Sequence, residues 1–484
     1  MSYTLYLLVL EHTEVGQART AHLATSQNTR APLYAFLAVG LAVTFLLYVQ
    51  SLSVMCYVYC LLPLLLWYKS YQGLLSHAVR SAVKNQTVRD LAVSLLFCVA
   101  GLEIVIQSFY HRELLSLVLL AMSAWPVARL WWYEDVNGSK VTAVGWSLTC
   151  LLVAVYPFLP VVRKETQYNL VIHYKCRNKI IFIIKVVNRK SAADALEDFI
   201  MLIFSQIFLV CLSVVTVKLT SDSITRREGL PLVCQLSSWF ILGCGPFLPM
   251  MCLTNLRARL FSLSLGFFAP YLLLSITYEG LFIVSLFSLL YFWLEMEYET
   301  NNRSGDLKFE QVDFRHEGLV KDNITSPTFS RHLELSDLRR AFFFIFLVLI
   351  AFFGTGNIAS INSFDPVSVY CFLTVFNPFL MGSLLMLKNV MPLLIVICTF
   401  RGVHVLTSTP LRSLFLIVLL MSDFMGLHFF FMVKDYGSWL DIGTTISHYV
   451  IVMLMNIFLL VFTGLSHGLT CWRIHWTSRR EKIY

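Results

Sequence analysis

Residues 338–382 read LRRAFFFIFLVLIAFFGTGNIASINSFDPVSVYCFLTVFNPFLMG, in which two apolar runs flank a run of small polar residues. Between Ala341 and Leu387 the only charged side chain is Asp365. Gly, Asn and Ser are poor helix formers, and their unpaired donors and acceptors are costly in hydrocarbon. At membrane depth such a segment is tolerated only inside protein or beside water. The stretch therefore predicts a membrane protein that holds a polar segment between two spans.

The composition extends this prediction to nearly the whole chain. Hydrophobic residues make up 57% of the sequence and charged residues 14%, whereas charged residues make up about 25% of an ordinary soluble domain. The mean hydropathy is +0.70. The predicted fold class is therefore all-α, a polytopic bundle of transmembrane helices.

Apolar windows long enough to cross about 30 Å of hydrocarbon predict about fourteen spans. Two apolar runs are too long for a single span, and we split them at their polar points, Gln50 with Ser51 and Tyr278 with Glu279. The predicted spans cover residues 33–49, 52–68, 90–108, 113–132, 141–162, 198–217, 231–252, 260–277, 279–295, 340–356, 366–387, 390–407, 411–433 and 446–468.

The polar segments set the predicted domain boundaries. Residues 1–31 form a polar N-terminal segment, residues 32–470 a multi-span membrane domain with a polar loop at 296–340, and residues 471–484 a basic tail. Residues 163–197 break the apolar pattern. A central Lys or Arg costs about 3 kcal/mol even on the lenient insertion scale, so this segment is predicted to be an irregular basic loop or an interfacial stretch. Its interrupting basic residues are Lys175, Arg177, Lys179 and Lys185.

The formal net charge of +8 indicates membrane orientation rather than nucleic-acid binding, because the basic residues are dispersed among loops. The positive-inside rule predicts that residues 69–89, residues 163–190 and the tail from Arg473 face the cytosol. A chain of about fourteen spans cannot place all three there. We therefore expect a missed or false span, with 163–197 as the first candidate.

The sequence offers no catalytic residue or metal site. It has no GxGxxG, no GxxxxGK[ST], no HExxH and no CxxC pair. Polar residues inside the membrane are better candidates, since each should face the bundle interior and have a partner. Asn357, Asn362, Asp365 and Glu279 are therefore candidate binding residues, with structural pairing or helix packing as the alternative for each. The family resemblance given next implies that their ligand is a lipid substrate.

Five strings resemble the C-terminal membrane domain of the PIG-N family of GPI ethanolamine phosphate transferases, over about residues 40 to 470. The five strings are the stretch quoted above, HFFFMVKDYGSWLDIGTTISHYVIVM (428–453), PYLLLSITYEGLF (270–282), AWPVARLW (124–131) and YVYCLLPLLLWY (57–68). The first two of these are highly specific.

The resemblance implies an enzyme of the endoplasmic reticulum membrane that transfers phosphoethanolamine from phosphatidylethanolamine to the first mannose of the GPI precursor. Both lipids are then partners. In the family the chemistry is attributed to a luminal, alkaline-phosphatase-like domain with a Thr nucleophile and a divalent metal site. Residues 1–30 are too short to hold that domain, so we expect no catalytic residue and no cofactor in this chain.

Two function classes remain open at this stage. The first is the membrane half of the transferase, which would hold the lipid-linked donor and acceptor near a luminal active site. The second is a non-enzymatic membrane protein, such as a lipid transporter or a lipid-binding scaffold. Carboxylate-lined cavities at mid-bilayer would favour transport, whereas polar groups that open to the luminal surface would favour substrate presentation.

Overall fold

The computed structural model describes residues 30–51, 53–70, 88–132, 140–159, 193–275, 279–301, 312–315, 335–354, 369–375, 377–407 and 411–474. Within these ranges the chain is all-α, as predicted, apart from one isolated β-bridge between Asn255 and Asp313. The α-helices are α1 Arg30–Val49, α2 Val54–Ser70, α3 Val88–Gln107, α4 Glu113–Trp132, α5 Lys140–Ala154, α6 Ala193–Thr225, α7 Leu232–Cys244, α8 Leu256–Leu274, α9 Glu279–Asn301, α10 Leu335–Phe353, α11 Pro378–Thr407, α12 Leu411–Met432 and α13 Trp439–Cys471. Short 3-10 turns cover Tyr156–Phe158 and Leu248–Met251.

The predicted count of about fourteen spans is wrong for the described residues. Six segments are long and apolar enough to cross a membrane: Val141–Phe158, Phe199–Thr225, Leu232–Met251, Glu279–Thr300, Pro378–Thr407 and Trp439–Cys471. One physical reason is that the predicted spans 366–387 and 390–407 meet in the single 30-residue helix α11. Lys388 and Asn389 looked like a polar break between two spans, but both lie inside that helix.

Two predicted breaks are confirmed. Helix α1 ends at Val49 and α2 begins at Val54, and Ser51 between them has a left-handed backbone with φ 51°. Helix α8 ends at Leu274 and α9 begins at Glu279. The helices also extend into the predicted polar loop at 296–340, since α9 continues to Asn301 and α10 begins at Leu335. Of the predicted basic loop at 163–197, only the start of α6 lies within the described residues.

The described residues belong to two compact units. The first contains those within Met1–Val99, His332–Arg339 and Phe415–Leu459, and the second those within Ala100–Arg331, Arg340–Leu414 and Leu460–Tyr484. In the first unit, α1 and α2 form a hairpin whose apolar contact involves Leu47 and Cys60, both fully buried. The α12 residues Phe430 and Phe431 pack against this contact and bury its apolar surface.

The second unit is a bundle whose helix directions follow from its contacts. The N-terminal part of α5 meets the C-terminal part of α9, because the Thr142 hydroxyl donates a hydrogen bond to Glu299 over 2.8 Å. Arg257 near the start of α8 likewise reaches Glu295 near the end of α9. Helices α5 and α8 are therefore both antiparallel to α9.

Two further helices complete the core of this bundle. Gly354, which follows α10, lies against Phe282 near the start of α9, so α10 is antiparallel to α9. In α11, Lys388 contacts Glu279 and the later Gly402 lies near Leu294, so α11 runs parallel to α9.

These directions give the second unit two distinct ends. We call one the arginine end, where Arg257, Arg259, Arg340 and Arg401 lie. We call the other the Gly354 end, where α8 and α10 finish and α9 begins. The arginine end also receives the last turn of α13, because Arg259 binds its carbonyl groups.

Helices α5 and α6 both run towards the Gly354 end. Helix α5 runs from the arginine end towards Tyr156, whose ring lies 5.3 Å from that of Phe282 at the Gly354 end. A short turn joins α6 to α7, whose Gln235 bonds to Phe372 shortly before α11 begins at the Gly354 end. Helix α6 therefore ends at the Gly354 end.

Candidate functional site

A buried ion pair joins α9 and α11 near the Gly354 end. The Lys388 Nζ atom lies 2.8 Å from Oε1 and 2.7 Å from Oε2 of Glu279. Their side chains are 7% and 10% exposed. Glu279 is the first residue of α9, where the positive end of the helix dipole stabilises a carboxylate. Glu279 was predicted as a lipid-binding residue, and the structure adds Lys388 as its partner.

A third polar group faces this pair from α8. The Tyr271 side chain is 1% exposed, and the Glu279 carboxylate acts electrostatically on its hydroxyl. Among the residues that the structure describes, that hydroxyl has no hydrogen-bond partner. A buried hydroxyl without a partner is uncommon in proteins and calls for an explanation.

Two glycines allow the surrounding helices to approach this site closely. A Cβ atom at Gly280 would lie 2.9 Å from Cδ2 of Leu272 in α8. A Cβ atom at Gly354 would lie 2.4 Å from Cε2 of Phe282 and 2.6 Å from the Ile350 carbonyl oxygen. At Gly280 the flexible Leu272 side chain could shift, whereas at Gly354 a Cβ atom would collide with the Phe282 ring and the Ile350 backbone, so Gly354 is the position that requires glycine.

The other predicted lipid-binding residues, Asn357, Asn362 and Asp365, lie outside the described residues. The chain enters their segment after Gly354 and leaves it before Val369. The carbonyl of nearby Phe372 accepts a hydrogen bond of 2.9 Å from Gln235 in the first turn of α7. Gly354, the last described residue before these three, lies at the same end of the unit as Glu279.

Other polar residues of the predicted spans have partners of their own. The Gln107 side-chain amide donates a 2.9 Å hydrogen bond to Glu103, one helical turn away. In the first unit, the Trp67 indole N–H donates to Asp423 over 3.5 Å. Glu103 and Asp423 therefore have structural partners.

The arginine end is held by a side chain that sequence reasoning did not single out. Arg259 is fully buried, and it donates hydrogen bonds to four backbone carbonyl groups. Its Nε lies 2.8 Å from the Leu469 oxygen and its Nη1 lies 3.1 Å from the Cys252 oxygen. The other two acceptors are the carbonyls of Pro249 and Trp472. One guanidinium thus caps the last turn of α13 and the 3-10 turn before α8.

Two ion pairs lie at the same end of the unit. Arg340 and Glu297 form a pair at 2.8 Å, and each side chain is 3% exposed. Arg257 and Glu295 form a more exposed pair at the same distance. Burial raises the pKa of the Cys252 thiol to about 11, although the nearby Arg259 charge lowers it. That thiol is therefore protonated and unreactive at neutral pH.

The polar groups of the second unit include a set that can bind a charged ligand. Within the described ranges, no three His, Cys, Asp or Glu side chains form a group that could hold a metal ion. The Gly354 end instead brings together an ammonium, a carboxylate and a hydroxyl. Such a set can recognise a charged head group.

The model of one protein family, described as phosphatidylinositolglycan class N (PIG-N), matches residues 1–438. The chain belongs to the PIG-N family. This PIG-N chain is 39% identical to the Homo sapiens protein named GPI ethanolamine phosphate transferase 1, over 97% of the chain and 50% of the relative. The Mus musculus protein of the same name is 38% identical over the same shares.

A more distant relative carries the same name. The Yarrowia lipolytica protein is 30% identical over 91% of the chain and 46% of its own length. The PIG-N chain therefore spans about half the length of the curated relatives it matches. No solved structure matches it.

Proposed function

We propose that this chain forms the membrane part of an enzyme that transfers phosphoethanolamine from phosphatidylethanolamine to the first mannose of the GPI precursor. The observation that carries the proposal is the match to GPI ethanolamine phosphate transferase 1 relatives over nearly the whole chain. The membrane part would hold the donor and acceptor lipids beside the catalytic groups of the full-length protein. We place this enzyme in the endoplasmic reticulum membrane.

The start of the basic C-terminal tail supports one orientation of the second unit. That tail follows residue 474 at the arginine end, where Arg257, Arg259, Arg340 and Arg401 also lie, whereas Arg226 and Arg227 lie in the turn between α6 and α7. Lys and Arg concentrate on the cytosolic side of membrane proteins. We therefore assign the arginine end to the cytosol and the Gly354 end to the lumen.

This orientation favours substrate presentation over transport. Glu279 is the first residue of α9 and so lies at an end of the bundle, the same end as Gly354. A transporter would carry its carboxylates near the bilayer midplane. We propose that Glu279, Asn357, Asn362 and Asp365 contact lipid substrate at the luminal end.

A chimera tests the proposal. The membrane part of the human relative is replaced by residues 30–474 of this chain, and the chimera is expressed in cells that lack the endogenous enzyme. We expect phosphoethanolamine to reappear on the first mannose of the GPI intermediates, measured by mass spectrometry. We also expect Asn362→Leu and Asp365→Leu each to abolish the transfer, while Asp435→Leu in an exposed loop leaves it unchanged.

The outcomes separate the alternatives. A folded, correctly localised chimera that transfers nothing would contradict the proposal and favour a non-enzymatic lipid-binding protein. Normal transfer by both the Asn362→Leu and Asp365→Leu chimeras would remove the binding role of the polar segment.

A further inference from the structure

We infer that Cys234 and Cys371 are joined by a disulfide bond in the mature protein, which links the α6–α7 hairpin to the turn before α11. In the structure both are free thiols. The inference rests on the orientation given with the proposed function, because disulfides persist in the secretory lumen and are rare in the cytosol. Neither cysteine was among the predicted site residues.

The hairpin of α6 and α7 sets the position of Cys234. The Thr216 hydroxyl of α6 lies 3.2 Å from the Ser237 hydroxyl of α7. One helical turn nearer to the connection between the two helices, α6 carries Thr220 and α7 carries Cys234. Both of these side chains are buried. They therefore lie at the same level of the hairpin, close to the Gly354 end.

The turn before α11 lies against the same part of α7. The Phe372 carbonyl accepts a 2.9 Å hydrogen bond from Gln235, the residue that follows Cys234. The Phe372 ring lies 5.4 Å from the ring of Trp239, one helical turn further along α7. Cys371 directly precedes Phe372, so these two contacts hold Cys371 beside the first turn of α7.

The Cys371 thiol faces both groups of the hairpin. Its side chain is 9% exposed. Burial raises the pKa of this thiol to about 11, while the Thr220 hydroxyl lowers it and the Cys234 thiol raises it. Thr220, Cys234 and Cys371 thus form one buried cluster in which the two thiols are neighbours.

The backbone at Cys371 can adjust to the geometry of a disulfide, which needs Cα atoms about 4.4–6.8 Å apart. Cys371 lies in a turn, in which the Phe372 and Leu373 N–H groups donate to the Val369 carbonyl over 3.0 and 3.3 Å. A residue inside a helix could not shift without loss of helical hydrogen bonds. A residue in a turn can move by the small amount that the bond requires.

Thiol–disulfide exchange would form the bond while the chain folds. A thiolate of one cysteine attacks a glutathione or protein disulfide of the lumen, and the second cysteine then displaces the mixed disulfide. The two cysteines are oxidised to one disulfide, and the incoming disulfide is reduced to two thiols. The raised pKa keeps the folded Cys371 thiol protonated at neutral pH, and a thiol is a poor nucleophile. The exchange therefore precedes burial, and burial then protects the bond from reduction.

Thiol trapping in the full chain tests the inference. Cells that express the chain are lysed in denaturing detergent with N-ethylmaleimide, which blocks every free thiol, and the digested chain is analysed by mass spectrometry without reduction. We expect the Cys234 and Cys371 peptides to be linked to each other, and the exposed Cys211 of α6 to be alkylated. Cys234→Ser should leave Cys371 alkylated, whereas the control Cys211→Ser should leave the link intact.

Reduction of the purified chain gives a second measurement. A cross-link between residues so far apart in sequence restricts the unfolded chain strongly, so a reductant should lower the melting temperature by several degrees. The same reductant should not change the melting temperature of Cys234→Ser.

The outcomes that overturn the inference are direct. Alkylation of both Cys234 and Cys371 in the unsubstituted chain would do so, as would a link from Cys371 to another cysteine. Equal effects of the reductant on the unsubstituted chain and on Cys234→Ser would also contradict it. An inactive chimera in which the two peptides remain linked would instead refute the proposed function and leave this disulfide standing.

Discussion

At the residue scale, Arg259 joins parts of the chain that are far apart in sequence. Helix ends leave carbonyl groups without helical partners, and buried carbonyls must be satisfied by other donors. Arg259 supplies those donors to Leu469 and Trp472 at the end of α13 and to Pro249 and Cys252 before α8. Its planar guanidinium presents five N–H donors, which a lysine cannot match. The charge is thus tolerated inside the bundle because carbonyl oxygens surround it.

Replacing this guanidinium should destabilise the second unit. We expect Arg259→Met to lower the free energy of unfolding by about 3–5 kcal/mol, because four carbonyl groups would lose their donor in a buried site. The matched control is Arg257→Met, whose partly exposed pair with Glu295 should cost at most about 1 kcal/mol. Denaturant unfolding in a mild detergent measures both. Similar losses in the two variants would contradict the structural role of Arg259.

At the element scale, α8 packs closely on the segment that precedes it. A Cβ atom at Gly266 would lie 2.4 Å from Cγ of Pro249 and 2.7 Å from the Gly245 carbonyl oxygen. A backbone oxygen cannot move aside as a flexible side chain can. Only glycine therefore allows α8 to lie this close to the turn that holds two of the Arg259 acceptors.

Alanine at two helical glycines should have opposite effects. We expect Gly266→Ala to cost about 1–3 kcal/mol, since overpacking forces the backbone apart. Gly464→Ala in α13 has open space within 4 Å, so it should stabilise by up to about 1 kcal/mol through helix propensity. The midpoint of thermal unfolding of each purified variant measures the difference. A neutral Gly266→Ala would show that α8 and the Gly245 turn are further apart than described.

The elements also show which features sequence reasoning could find. The breaks at Gln50 and at Glu279 were predictable, because polar residues interrupt apolar runs too long for one span. The continuity of α11 was not, since Lys388 and Asn389 are the usual sign of a loop. The ion pair with Glu279 explains how Lys388 can lie buried in the middle of an apolar helix. Glu279 could be predicted as a candidate because it is a carboxylate inside a predicted membrane domain. Tyr271 could not, because only the structure shows that its hydroxyl is buried and has no hydrogen-bond partner among the described residues.

At the scale of the whole molecule, the two ends of the second unit separate the arginine cluster around the end of α13 from the candidate substrate groups. The arginine end receives the last turn of α13 and adjoins the segment between α9 and α10. That segment contains the glycosylation sequons at Asn302 and Asn323, which lie outside the described residues. With the arginine end in the cytosol, both sequons should remain unmodified. The Gly354 end, with Glu279 and the polar segment, would then face the lumen.

The luminal position of the Gly354 end is the claim on which the lipid-presentation proposal depends, and cysteine labelling in sealed microsomes tests it most directly. Glu228→Cys places a thiol in the exposed turn between α6 and α7 at the Gly354 end, and Ile474→Cys places one after α13 at the arginine end. An impermeant maleimide, corrected for labelling of the unsubstituted chain, should label Ile474→Cys in intact vesicles and Glu228→Cys only after detergent is added. Labelling of Glu228→Cys in intact vesicles, with Ile474→Cys protected, would reverse the assignment and contradict the account.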